Sequence, residues 1–415
     1  MQLRPNHLIP AEFASKDAFF TRMAEKIGTP LYLYDGDRLK GDYARLKEAL
    51  PDGTELLYSI KANPNPGVLL ELARVQAGFE ACSRGELLAL ENGNIDLGRT
   101  VMTGPGKRIS EIICAGRLGV GLLAAESNRE LAEIERAGKT LGREFEVLLR
   151  VNPGGAAGDQ QMSGATQFGM DPPAIIDALK GAARFRHLRI AGLHFYLGTR
   201  ILDWKLLLAN LKITFMEAAE IERASRSVFE VLDVGGGFGI PLYNGEGELC
   251  LEKVANGFSE LAGRRYAEFP RTRRLLAESG RYIAASCGVM LTTVVDVKKV
   301  HGRNFAITDG GIHAIGGRDG YYGARAVPMR VLLREEEPHE EVTVCGPLCT
   351  PADRLANRVL MPLPRPGDVI ALYQAGAYGP TASAGRFLSM DYPREEVIGG
   401  DEVQDAADMT VGACA

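Results

Sequence analysis

An amine, an imidazole, a glycine loop and a carboxylate each stand at the end of a short apolar run in this chain. Lys61 follows LLYSI (56–60) and leads into Ala-Asn-Pro-Asn-Pro, and His194 lies near the end of RIAGLHF (189–195). Gly235–Gly239, which reads GGGFG, follows FEVLDV (229–234), and Glu278 ends LLAE (275–278). A lysine amine can attack a carbonyl and hold it covalently. Glycine amides can approach a phosphate closely because no Cβ intervenes. A carboxylate can keep a proton on a ring nitrogen. Together these are the parts that pyridoxal phosphate requires.

Each residue also has a plainer reading. A lysine at a strand end is commonly solvated, and a histidine among apolar neighbours is commonly a satisfied core residue. The glycine run can be only a tight turn, and Glu278 can cap a helix. GGGFG is not a dinucleotide fingerprint, because Ile240 stands where G-x-G-x-x-G needs glycine. No G-x-x-x-x-G-K-[ST] phosphate loop occurs. Cys345 and Cys349 could ligate a metal, but no second pair or nearby histidine completes a tetrahedral set, so no metal is expected. The joint occurrence of the four groups, in order, carries the argument.

Those groups need a scaffold that gathers strand ends. Apolar runs such as LYLY (31–34), LLYSI, FEAC (79–82), TVMT (100–103), VGLLA (119–123) and FEVLLRV (145–151) alternate with segments that repeat apolar residues every three or four positions. Strands alternating with amphipathic helices predict βα units and a parallel sheet. About eight repeats over ~250 residues is the count of a (β/α)8 barrel, whose catalytic groups sit at the C-terminal strand ends. A doubly wound open sheet would show the same local pattern. After residue ~282 the runs VMLTTVVDVKKV, NFAITDG, EEVTVCG, RVLMPLP and DVIALYQAG have turns between them and little helical periodicity, which predicts an antiparallel β-domain.

Composition excludes whole classes. The 415 residues are 46% apolar and 24% charged, ordinary globular values that exclude a disordered or collagen-like chain. With 48 basic against 53 acidic residues, no basic excess exists to hold a nucleic acid. The N-terminus MQLRPNHLIPAEF has no apolar signal core, and no uncharged run is long enough to span a bilayer. Seven scattered cysteines suit reduced thiols, so a cytoplasmic enzyme is expected.

From about Thr29 to Leu388 the chain resembles the fold-type III pyridoxal phosphate decarboxylases, which include diaminopimelate, ornithine and arginine decarboxylases. The likeness rests on YSIKANPNP (58–66), EACSRGEL (80–87), LRVNP (149–153), GLHFYLGT (192–199), DVGGGFG (233–239), ESGR (278–281), CGPLCTPAD (345–353) and GAYG (376–379). It implies an alanine racemase-like architecture: a barrel over 28–281, a β-domain over 282–400 completed by 1–27, and a loose tail over 401–415. It also implies a homodimer with shared active sites.

Residue by residue, the resemblance implies that Lys61 forms the Schiff base with the cofactor and that His194 stacks on its ring. Thr199 stands where relatives have a phosphate-binding serine. Gly235, Gly236 and Gly237 match the phosphate loop, and Tyr378 matches a tyrosine that closes over the phosphate. Glu278 matches the acid at the ring nitrogen, and Arg281 the arginine near phosphate and substrate. Arg150 of LRVNP and Gly280 of ESGR belong to the same cofactor set. Cys349 matches a cysteine delivered across the dimer interface to protonate the product. Lys61, Cys349, His194 and Glu278 are the expected catalytic residues.

The departures concern the substrate. Relatives acting on free diamino acids have Glu or Asp directly after that cysteine, to hold the distal ammonium; here it is Thr350. Arg281, Arg325, Thr350, Asp353 and Tyr378 are the expected substrate contacts. The chain looks most like the subgroup of the butirosin-pathway decarboxylase, which acts on glutamate tethered to an acyl carrier protein, and of the exosortase-associated decarboxylases. The expected activity is therefore decarboxylation of an L- or meso-amino acid that is carrier-linked or otherwise lacks a distal ammonium. The alternatives are a diaminopimelate decarboxylase acting on the free amino acid and a non-catalytic, decarboxylase-like regulator. Glu278 disfavours a racemase, because a protonated ring nitrogen makes a deeper electron sink.

Overall fold

Leu31–Asp35 (β1), the first of the apolar runs, does not join the runs that follow it. In the computed structural model, which describes residues 8–156, 163–316, 327–334, 336–399 and 402–403, this strand lies in a different sheet from the next eight. All five of its residues are buried, so locally it reads like a barrel strand. Its pairing is what differs: β1 runs antiparallel to Gly288–Val300 and parallel to Arg394–Gly399. The barrel expected from residue 28 therefore starts at residue 55.

The barrel comprises β2 (Glu55–Ser59), β3 (Gly78–Ala81), β4 (Thr100–Met102), β5 (Leu122–Ala125), β6 (Phe145–Val151), β7 (Leu188–Phe195), β8 (Val231–Asp233) and β9 (Arg274–Ser279). All neighbours are parallel, and β9 closes on β2 with Leu57 opposite Glu278. Leu57, Val101, Leu122, Ala124, Leu148, Ala191, Val231 and Leu276 form one buried cluster contributed by seven of these strands. Helices follow the strands for local reasons. Asn128–Leu141 starts on Ser127, whose hydroxyl accepts from Glu130 N, buries Leu131, Ile134, Ala137 and Gly138 on one face, and stops at left-handed Gly142. The strand-to-helix turns thus collect the C-terminal strand ends on one rim.

The second compact unit contains residues up to Gly41, 241–247 and 281 onward, while 42–240 and 248–280 belong to the barrel unit. Its sheet continues with β10 (Gly288–Val300), β11 (Arg303–Thr308), β12 (Met329–Val331), β13 (His339–Cys345), β14 (Arg354–Pro362), β15 (Val369–Leu372), β16 (Arg394–Gly399) and β17 (Glu402–Val403). The order is β14-β13-β11-β10-β1-β16-β17, with β15 pairing β10 and β12. Most pairs are antiparallel; β1–β16 and β11–β13 are parallel. The N-terminal segment joins this unit through Phe13, Phe19, Phe20 and Met23, which pack with Leu31, Leu33, Val289, Leu291 and Tyr373. The tail expected to be loose from 401 pairs through Glu402–Val403 with β16, and 404–415 lie outside the described residues. No helix among the described residues is long and apolar enough to cross a membrane.

Candidate active site

Lys61 sits in the single turn Ile60–Ala62 that caps β2. Its Nζ donates to both oxygens of Glu80, at 2.7 and 3.0 Å, and lies 3.6 Å from Cys82 Sγ. Glu80, the last residue but one of β3, is buried; it also accepts from Cys82 Sγ and Thr103 Oγ1. Burial alone would raise the Glu80 carboxyl, but Lys61 and the hydrogen bonds hold it down at about 2. Burial likewise lowers the Lys61 amine, and Glu80 more than reverses that, lifting it well above the ordinary lysine value. Glu80 was not singled out from the sequence. The available signal was a lone acid inside the apolar run FEAC (79–82).

On the other side of the barrel, Arg150, His194 and Asp233 lie side by side in register across β6, β7 and β8. His194 Nε2 is 3.3 Å from Glu278 Oε1, and both side chains are 1% exposed. Burial pushes the imidazole down; the Glu278 and Asp233 carboxylates lift it by more, so its affinity for a proton is raised overall. Arg150 has a partner other than the one expected. Its Nη1 donates to Glu126 at 2.9 Å, and its guanidinium lies 4.6 Å from the centre of the Phe168 ring.

The glycine loop is threaded through places where a side chain does not fit. A Cβ on Gly235, whose φ is +70°, would fall 2.1 Å from Phe195 O, and one on Gly236 would fall 2.6 Å from Glu278 O. Gly235 O accepts from Glu278 N at 2.9 Å, which ties the loop to the acid. Thr199 is half-buried beside Gly198, whose carbonyl lies 3.1 Å from where a Gly237 Cβ would be. A Cβ on Gly280 would fall 2.6 Å from Ala62, so this glycine lets the end of β9 pack against the Lys61 turn.

The barrel rim therefore gathers Lys61, His194, Gly235–Gly237, Gly280 and Glu278, with Arg150 beside them. These residues fit pyridoxal phosphate. His194 Nδ1 and Asp233 Oδ2 are buried with no hydrogen-bond partner among the described residues, and His194 Nε2 and Glu278 Oε1 meet only as an ion pair, as expected where a polar ring belongs. The glycine loop carries no side chain that could hold a phosphate away from its backbone.

In the sheet unit, the Arg281 guanidinium stacks 4.6 Å from the centre of the Tyr378 ring, and Tyr378 adopts the left-handed region at φ +61°. Cys349 is exposed and Thr350 half-buried on the loop after β13. The Thr350 hydroxyl accepts from Ala352 N at 3.3 Å, which shapes the turn. Asp353, expected as a substrate contact, is only 2% exposed. Its two oxygens accept from Ile312 N at 2.8 Å and Leu348 N at 2.7 Å. That carboxylate closes the loop through these two backbone amides. Arg325 lies outside the described residues.

Comparison with known proteins agrees with this geometry. The family model described as pyridoxal-dependent decarboxylase, pyridoxal binding domain, matches residues 37–285. The L-glutamyl-[BtrI acyl-carrier protein] decarboxylase of Niallia circulans is 33% identical over 91% of this chain and 90% of its own length. The diaminopimelate decarboxylase of Deinococcus radiodurans is 32% identical over 92% and 93%. The crystal structure of the Helicobacter pylori diaminopimelate decarboxylase complexed with L-lysine superposes with a TM-score of 0.82 at 27% identity, covering 93% of this chain and 95% of that one. The chain belongs to the pyridoxal-dependent decarboxylases, lyases that act on amino acids with pyridoxal phosphate as cofactor.

Proposed function

We propose that this enzyme decarboxylates an amino acid whose distal end carries no free ammonium, such as a glutamyl group linked to a carrier or conjugate. The observation that carries this reading is the loop Cys349–Asp353. Thr350 stands where a distal ammonium would need an acid, and the carboxylate of Asp353 is closed off by two backbone amides. A hydroxyl cannot repay the desolvation of an incoming ammonium. The relative from Niallia circulans, by its name, acts on carrier-linked glutamate.

In this reading Lys61 would hold the cofactor covalently, and Glu80 holds its Nζ in place at the rim. The amides of Gly236 and Gly237, with Thr199, would bind the phosphate. His194 would cover one ring face, and Glu278 Oε1 would hold a proton on the ring nitrogen. When bound, pyridoxal phosphate supplies the electron sink for the pair left at Cα as CO2 departs. Cys349, contributed by the second subunit of a homodimer, offers the proton of its Sγ to that carbon. The free thiols of the described cysteines suit the cytoplasm.

Thr350→Glu tests the reading. The variant should gain activity toward free diaminopimelate, lysine or ornithine relative to a glutamyl thioester, even if absolute rates fall. An unchanged preference would detach Thr350 from selectivity.

A further inference from the structure

Asp233 is the buried acid with no place in the roles above. It ends β8 and is 0% exposed. Oδ1 accepts from Gly235 N at 2.9 Å, which holds the first turn of the glycine loop. Oδ2 is buried and has no hydrogen-bond partner among the described residues. Asp233 shares its space with His194 on β7 and Glu278 on β9, and one ligand-type atom from each of the three lies within 4.8 Å of the others.

Two carboxylates in one dry site resist ionising together. The surrounding charges do not relieve them. Glu80 on β3 adds a further negative charge, the Lys61 ammonium is paired with Glu80, and Arg150 on β6 is paired with Glu126. With imidazolium, one carboxylate and one carboxylic acid the triad is neutral; ionising the second carboxyl leaves a net negative charge in a buried site.

We propose that Asp233 is a protonated carboxylic acid in the resting enzyme, so that Glu278 is the single anion of the triad. The inference rests on the reading that Glu278 serves the ring nitrogen, and it assigns Asp233 as the positioning residue that reserves Glu278's charge for that task. Oδ1 accepts from Gly235 N in either protonation state, so the proton belongs on Oδ2, the oxygen without a donor. The electrostatics point the same way: burial, and then Glu278, push the Asp233 carboxyl up to about 8. Half-buried Glu86 near the rim, raised by burial to about 7, is a second acid that holds a proton close to neutrality.

The test is infrared difference spectroscopy on the full chain, with and without bound pyridoxal phosphate. At neutral pH the wild type should show a carboxylic-acid carbonyl stretch that is missing from Asp233→Asn and that titrates away above about pH 8. The Glu86 signal cancels in that difference. Glu278→Gln removes the repelling charge, so the Asp233 band should vanish at lower pH than in the wild type. A band kept in Asp233→Asn and lost in Glu278→Gln would give the proton to Glu278 and overturn the assignment. So would the absence of any Asp233-dependent band at neutral pH. If Asp233→Asn does not fold, the shift of the band in Glu278→Gln decides alone. In the loaded enzyme kcat should fall at least about tenfold less in Asp233→Asn than in Glu278→Gln. An unimpaired Glu278→Gln would sink the ring-nitrogen reading while leaving the infrared result standing.

Discussion

Lys61 and Glu80 form an ion pair of 2.7 Å between the ends of neighbouring strands, with the carboxylate 1% exposed and the amine facing the rim. The amine at the rim is thus held as an ammonium against a buried carboxylate.

That pair predicts a pH-dependent stability. Glu80 is held at about 2 against an ordinary value of 4.5. A depressed acid contributes stability at neutral pH and loses it as pH falls from about 4.5 to about 2, by roughly 3 kcal/mol at most. Glu80→Gln should be less stable at neutral pH and should show a flatter acid limb. Urea midpoints measured from neutral pH down to about 3 check this; parallel curves for variant and wild type would refute it.

Most of the barrel rim was legible because it depends on local features. Strand ends, glycine runs and helix caps are written in consecutive residues, so Lys61, His194, Gly235–Gly237 and Glu278 could be placed by position alone. Glu80 and Asp233 escaped because each is one acid inside an apolar run, and its partners come from other strands. The sheet assignment of Leu31–Asp35 escaped for a related reason. Its register with Leu291 and Arg394 is set by residues hundreds of positions away, and a strand buried throughout looks the same in either sheet. Asp353 looked like a recognition group because its acceptors' partners, the amides of Ile312 and Leu348, leave no trace in side-chain types.

Glu278→Gln preserves size and removes the charge. It should lower kcat by about a hundredfold or more while changing cofactor affinity far less, since a pyridine nitrogen without its counter-ion is a weaker electron sink. Cofactor titration and kcat at saturating pyridoxal phosphate separate the two. Loss of cofactor binding with unchanged kcat would contradict the role.

Asp353→Asn tests the loop. An amide oxygen can accept from only one of Ile312 N and Leu348 N, and its NH2 group opposes the other. The variant should lose about 1–3 kcal/mol of stability, and alkylation of Cys349 on the loosened loop should speed up. Unchanged stability together with a raised KM would restore Asp353 as a substrate contact.

Lys61→Ala and Cys349→Ala test the shared site. Each variant should be inactive alone, and Lys61→Ala should also lose the visible absorbance of lysine-bound cofactor. If Cys349 comes from the second subunit, mixing the two and allowing exchange should restore up to about a quarter of wild-type activity, one intact site in the half of dimers that are mixed. Proven exchange without recovery would rule out the shared site.

On the proposed function, this decarboxylase takes a substrate without a distal ammonium. The most direct measurement is kcat/KM, scored by CO2 release and product mass, for a glutamyl thioester on a carrier against free meso-diaminopimelate. The thioester should be preferred by at least about tenfold, because a loop with Thr350 where an acid would stand gives an incoming ammonium nothing in exchange for its water. A clear preference for free diaminopimelate would contradict it.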